Sequence, residues 1–116
     1  MFDRSGNKPM ILLNNGNSGE VNYTYWQGYE SIFPKMYDWS VLLDYNCDGL
    51  ADIITGFENG IKTYLANYDG SNIYFTEDIA KMDFKEAGFT FFLSVGVIDV
   101  PGFADINFDG DIDVLT

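Results

Sequence analysis

The chain has no histidine and a single cysteine, Cys47, among its 116 residues. Without a second cysteine it forms no internal disulfide, and without histidine the common zinc sites and every Ser-His or Cys-His catalytic pair are excluded. Basic residues are nearly as scarce. Six Lys and Arg stand against 18 Asp and Glu, a net charge of −12. Nucleic-acid binding needs clustered cations to neutralise phosphates, so that class is excluded, and an anionic membrane surface would repel the chain. No apolar run approaches the ~20 residues of a membrane span. The opening MFDRSGNKPM lacks the apolar core of a signal peptide, so a secreted protein would carry its signal outside this sequence.

What is present points to strands. The chain is 47% hydrophobic and 17% aromatic, a composition that folds rather than stays disordered. Phenylalanine and tyrosine supply most of the aromatics, and Asn15-Gly16, Asn59-Gly60 and Asp69-Gly70 are turn dipeptides of the kind that close tight hairpins. An all-β chain is expected, of at most one ordinary domain's length.

The most informative stretch is DYNCDGLADIITG, residues 44–56, echoed by DINFDGDIDVLT from residue 105. Both follow D-x-N-x-D-G-x-x-D and then turn β-branched. A hard cation such as Ca2+ takes 6–8 oxygen ligands, and a coiled loop offering oxygen at alternate positions supplies them. The ligands expected in the first loop are Asp44, Asn46, Asp48, the main-chain carbonyl of Leu50, and Asp52. Those in the second are Asp105, Asn107, Asp109, the carbonyl of Asp111, and Asp113. Gly49 and Gly110 allow the sharp bend. The bland alternative is a pair of Asx-rich surface turns without metal. It is the weaker expectation, because converging carboxylates repel one another when no cation is present. EF-hand and dockerin-like loops are excluded, since both want an acid at position twelve and a following helix. Thr55 and Thr116 stand at that position, and IITGF follows Asp52.

On these residues the stretch SVLLDYNCDGLADIITGFENGIKTYLANYDG resembles the FG-GAP/VCBS repeat, the blade unit of calcium-bearing β-propellers related to the integrin α-subunit head. It is especially similar to repeat arrays of large secreted proteins in Bacteroidetes-type bacteria. The resemblance implies antiparallel four-stranded propeller blades, with the metal loop joining a blade's first and second strands and two Ca2+ sites formed by the residues just named. It implies strands over 39–43, 52–56, 61–67 and 73–78, with Asn59-Gly60 and Asp69-Gly70 at the hairpin turns. MILLNNGNSGEVNYTYW aligns with KTYLANYDGSNIYFTED at an offset of 52, which makes residues 9–26 the last two strands of a preceding blade. The metal loops are offset by 61, so about nine residues are inserted between 80 and 100, where FTFFLSV reads as an additional strand.

The resulting division is 1–37, the end of one blade with a connection; 38–78, a complete blade; and 79–116, an insertion with the start of the next. A propeller closes with typically 4–8 blades. One complete and two partial blades therefore imply a fragment of a larger propeller, with further blades expected from the same parent chain.

Catalysis finds no support in the sequence. Glu20, Glu30, Glu58, Glu77 and Glu86 show no patterned pairing, and no phosphate-binding glycine loop occurs. The function expected is a non-catalytic, calcium-stabilised repeat module of a secreted or cell-surface protein, a scaffold for adhesion or for binding an extracellular protein or glycan. The alternative is an accessory propeller domain of a secreted polysaccharide-active enzyme. Extracellular calcium modules bind at roughly 10⁻⁴–10⁻³ M, filled outside the cell and empty in cytosol. Cys47, at an outward position of its loop, is expected to be an exposed bystander. Trp26, Trp39 and the tyrosines are expected to fill core space rather than to form a sugar-stacking surface. The Asn22-Tyr23-Thr24 sequon carries little weight by itself.

Overall fold

A strand that is apolar on both faces must be covered on both sides, and residues 52–57, DIITGF, form such a strand. In the computed structural model, which describes residues 9–37, 39–57, 60–78, 83–93 and 100–115, Ile53, Ile54 and Thr55 are completely buried. Among the described residues the regular elements are antiparallel strands of three to nine residues and one 3-10 turn at Tyr29–Ser31, with no α-helix.

In chain order the strands are β1 Leu12–Asn14, β2 Tyr23–Tyr25, β3 Ser40–Leu43, β4 Asp52–Phe57, β5 Gly60–Tyr68, β6 Ile73–Asp78, β7 Asp83–Glu86, β8 Phe89–Phe92, β9 Gly102–Ala104 and β10 Asp113–Leu115. One sheet has four strands in the order β3-β4-β5-β6, each antiparallel to its neighbour. The other strands pair two by two: β1 with β2, β7 with β8, and β9 with β10. The four strands expected for a complete blade are therefore present in one sheet, in sequence order. The strand expected in FTFFLSV is found at Phe89–Phe92, and its partner Asp83–Glu86 was not foreseen. A two-residue turn at Ala87 and Gly88, both with positive φ, closes that hairpin.

The register sorts the central sheet into two faces. Leu42, Ile53 and Tyr64 lie across from one another on the first, and Val41, Ile54 and Thr63 on the second. The segment between β2 and β3 crosses the first face. Phe33 meets Phe75 of β6 and Tyr37 meets Phe57 of β4, each with ring centroids 5.0 Å apart. The Tyr37 N–H donates to the Thr55 hydroxyl at 3.1 Å, and that hydroxyl donates to the Trp39 carbonyl at 2.7 Å. A buried threonine is thus satisfied in both roles. At the rim, Lys62 lies 2.9 Å from the Glu77 carboxylate and 4.3 Å from the centre of the Phe57 ring. Its hydrogen bond to Glu77 raises the Lys62 pKa.

Trp39 is buried against β4 and sits over Gly56, where a Cβ would come within 2.8 Å of the indole Nε1. The expected core role thus holds for Trp39 and in part for the half-buried Tyr37 and Tyr64, but not for several other aromatics. Trp26, Tyr23, Tyr25, Tyr68 and Tyr74 are exposed, because they fall on short hairpins and outward strand positions.

Two pairs of hairpins share registers. Leu12↔Tyr25, Leu13↔Thr24 and Asn14↔Tyr23, moved by 52 positions, become Tyr64↔Glu77, Leu65↔Thr76 and Ala66↔Phe75. Even a side-chain bond recurs: the Asn15 amide donates to the Thr24 hydroxyl as the Asn67 amide does to Thr76. Likewise Val41↔Ile54, Leu42↔Ile53 and Leu43↔Asp52, moved by 61, become Gly102↔Leu115, Phe103↔Val114 and Ala104↔Asp113. The β5–β6 turn carries Gly70 at φ 95°, as its Asp-Gly pair predicts, whereas Asn59 of the other expected turn lies outside the described residues.

Two outcomes follow from this packing. Gly56→Ala drives a methyl into a rigid indole and should cost about 1–3 kcal/mol, read as a lower urea midpoint; an unchanged midpoint would mean that Trp39 is not seated there. In the β5–β6 turn the Asp69 carboxylate accepts the Asn72 and Ser71 N–H groups, both at 2.8 Å, and these bonds hold its pKa below the ordinary 3.8. A depressed carboxyl contributes stability above its unfolded value and loses it as pH falls through the folded value. A carboxyl NMR titration should place the Asp69 midpoint below 3.8, and turn amide shifts should follow the same curve.

Candidate metal-binding loops

The loops at 44–52 and 105–113 are built by aspartate and asparagine side chains folding back on their own backbone, the habit that makes these residues turn formers. In the first loop the Asp44 carboxylate accepts the N–H of Asp48 at 3.0 Å and of Gly49 at 2.9 Å. The Asn46 carbonyl oxygen accepts the Asp48 N–H at 3.1 Å, and Asp48 Oδ1 accepts the Leu50 N–H at 2.8 Å. The Asn46 amide donates to Asp48 Oδ2 at 2.8 Å. The second loop repeats the set. Asp105 accepts from the N–H groups of Asp109 and Gly110 at 3.1 and 3.0 Å, and Asn107 accepts from Asp109 at 3.0 Å. Asp109 accepts from Asp111 at 2.9 Å and from the Asn107 amide at 2.8 Å.

Backbone conformation makes this coiling possible. Cys47 and Phe108 take φ 59° and 62°, and Gly49 and Gly110 take 89° and 95°. Left-handed residues alternating with ordinary ones turn successive N–H groups into one concavity. The glycines adopt this freely. Cys47 and Phe108 do so at a cost of about 1–2 kcal/mol each, a strain the inward hydrogen bonds must offset. Both side chains stand outside the loop, so Cys47 is exposed as expected and Phe108 is 90% exposed.

The last acidic residue of each loop differs in setting. Asp52 opens β4 and is completely buried. Its Oδ2 accepts the N–H of Tyr45 at 2.9 Å and of Asn46 at 3.4 Å, while Oδ1 accepts the N–H of Ala66 on β5 at 2.7 Å. The first loop is thereby fastened to two strands. Asp113 accepts the Ile106 N–H at 2.8 Å and is only half-buried. Sequence reasoning placed Asp52 in the site but did not reveal Ala66 as its partner, because that contact depends on the β4–β5 register.

All ten expected ligand positions fall in these two loops, five in each. Leu50 and Asp111 occupy equivalent turns and donate their N–H groups to Asp48 and Asp109. Among the described residues no three His, Cys, Asp or Glu side chains gather into a metal-holding group. The proposed donor set is instead mixed, combining carboxylates with an asparagine amide and a main-chain carbonyl. It contains only oxygen, the chemistry of a hard cation. A carboxylate has about four lone-pair sites, so one accepting two hydrogen bonds keeps capacity for a metal. The N–H bonds also fix each carboxylate's orientation, as outer-shell donors do around metal ligands. By donor chemistry, an all-oxygen set of this kind would suit Ca2+. In the second loop, the Asp111 N–H and then the Asn107 amide hold the Asp109 carboxyl below its ordinary pKa.

Removing the two closing carboxylates in chelator-containing buffer separates their structural roles from any metal. Asp52→Ala strands the Ala66 N–H among buried groups and should cost about 1–3 kcal/mol in urea unfolding. Asp113→Ala should cost clearly less, and equal losses would show that burial of the Asp52 link adds nothing.

Set against known proteins, the chain matches no protein-family model, no curated protein and no solved structure.

Proposed function

We propose that residues 44–52 and 105–113 are two Ca2+ sites, held by Asp44, Asn46, Asp48, the Leu50 carbonyl and Asp52, and by Asp105, Asn107, Asp109, the Asp111 carbonyl and Asp113. The observation that carries this is the recurrence of one loop, 61 residues on, with the same left-handed positions and the same side-chain bonds. Asx turns need no such duplication to stabilise a hairpin. Bound Ca2+ would neutralise the loop carboxylates and tie β3 to β4 and β9 to β10, in a chain whose net charge of −12 otherwise favours expansion.

The module is a set of propeller blades similar to FG-GAP/VCBS repeats, with β3–β6 as the complete blade. The all-oxygen loops suit the millimolar calcium outside cells, and the work we assign to the module is structural. It is a rigid, non-catalytic scaffold of a secreted or cell-surface protein, presenting loops to a protein or glycan partner.

Calcium titration followed by thermal unfolding tests the sites. A ligand that binds only the folded state adds about 2.7 kcal/mol per site at one hundred times its Kd. Millimolar Ca2+ should therefore raise the Tm, and Asp48→Ala and Asp109→Ala should each remove part of the rise. A folded chain whose Tm ignores calcium would reduce both loops to metal-free Asx turns.

A further inference from the structure

A cleft of about 250 Å³ lies between the four-stranded sheet and the segment that follows β2. Ala66 of β5, Phe75 of β6 and Leu50 of the first loop line its sheet side, and Trp26, Tyr29 and Phe33 face them. Gly28, at φ 96°, bends the chain between Trp26 and Tyr29, whose ring centroids lie 3.3 Å apart. Phe33 and Phe75 meet across the cleft at 5.0 Å, so aromatic rings stand on both sides. The lining residues all fall within 11–75, so both sides are complete in the described part of the chain.

The lining is apolar almost throughout. Among the described residues none that lines it is charged, and its polar side-chain groups are the Tyr29 hydroxyl and the Trp26 indole N–H. Water finds few partners in such a space, and unfilled apolar volume weakens a fold. The sheet side is also held in place against collapse. The N–H of Ala66, a residue only 4% exposed, is fastened to Asp52, and the Leu50 N–H is fastened to Asp48. Trp26 is 36% exposed, which leaves the cleft reachable from solvent.

We infer that this cleft binds a small uncharged aromatic molecule of one or two fused rings, packed among Trp26, Tyr29, Phe33 and Phe75. An apolar cavity of about 150 Å³ accepts benzene, so the space here admits a second ring. Aromatic partners gain from ring–ring geometry beyond the area they bury. An anion is disfavoured twice, by a lining without charge and by a chain of net charge −12. An ammonium group would meet aromatic faces but no carboxylate in the lining to offset its lost hydration. The inference goes beyond the metal sites and does not rest on them, because the bonds that hold Leu50 and Ala66 form without an ion.

Indole is the probe, titrated into the full chain in chelator-containing buffer and followed by methyl NMR. The Ala66 and Leu50 methyl signals should shift and saturate in the millimolar range, as expected for so small a ligand. Indole-3-acetate, which adds a carboxylate, should bind about tenfold more weakly or worse. Ala66→Leu fills the cleft, and Trp26→Ala removes an exposed ring without touching the buried core. Each should weaken indole binding by about tenfold, and Trp26→Ala decides the matter if Ala66→Leu fails to fold. Methyl signals that ignore indole, equal binding of the carboxylate, or full affinity in Trp26→Ala would each overturn the inference.

Discussion

The carboxylate of Asp52 joins loop, strand and sheet in one buried group. It opens β4, closes the 44–52 loop through two N–H groups, and crosses to β5 through a third. A buried carboxylate is costly unless hydrogen-bonded, and here three donors meet it. The loop cannot shift along the sheet without stranding those donors. Its position relative to β5 is therefore as fixed as the strand register, although most of its other residues are exposed.

The rest of the central sheet follows from that anchoring. With β4 set by Asp52, Ile53 and Ile54 point to opposite faces and both are fully buried, each burial contributing roughly 1.5–3 kcal/mol. The segment leading into β3 covers the first face with Phe33 and Tyr37, and Trp39 closes over Gly56. Among the described residues the polar side chains completely buried are those of Asp52 and Thr55, and both have their hydrogen bonds made.

The loops share one economy of design. Left-handed residues turn the amides inward, aspartate and asparagine oxygens occupy the concavity, and the same oxygens remain chemically suited to a hard cation. A loop already wound by hydrogen bonds loses less conformational freedom when an ion arrives. The charge of the chain would give a bound ion a second role, because a net −12 opposes compaction until it is countered.

Much of this was legible in the sequence. Alternating Asp and Asn followed by Gly and a β-branched run marked both loops and the strands behind them, because Asx turns and left-handed glycines are local physics. The 52-residue alignment foretold the β1–β2 register, since a period-two strand pattern fixes which residues can face one another. The β7 partner strand was not legible, because DFKE carries no alternation by which to recognise it. Nor did the sequence separate buried Trp39 from exposed Trp26, a distinction made by the seat of Trp39 over Gly56 of β4, whereas Trp26 follows β2 of a two-stranded hairpin. Local chemistry determined the turns, the strands and the candidate oxygen ligands. The tertiary structure decided which of two equivalent aspartates is buried, because only the chain's path across β5 brings the Ala66 N–H to Asp52, and nothing within the nine-residue loop encodes that approach.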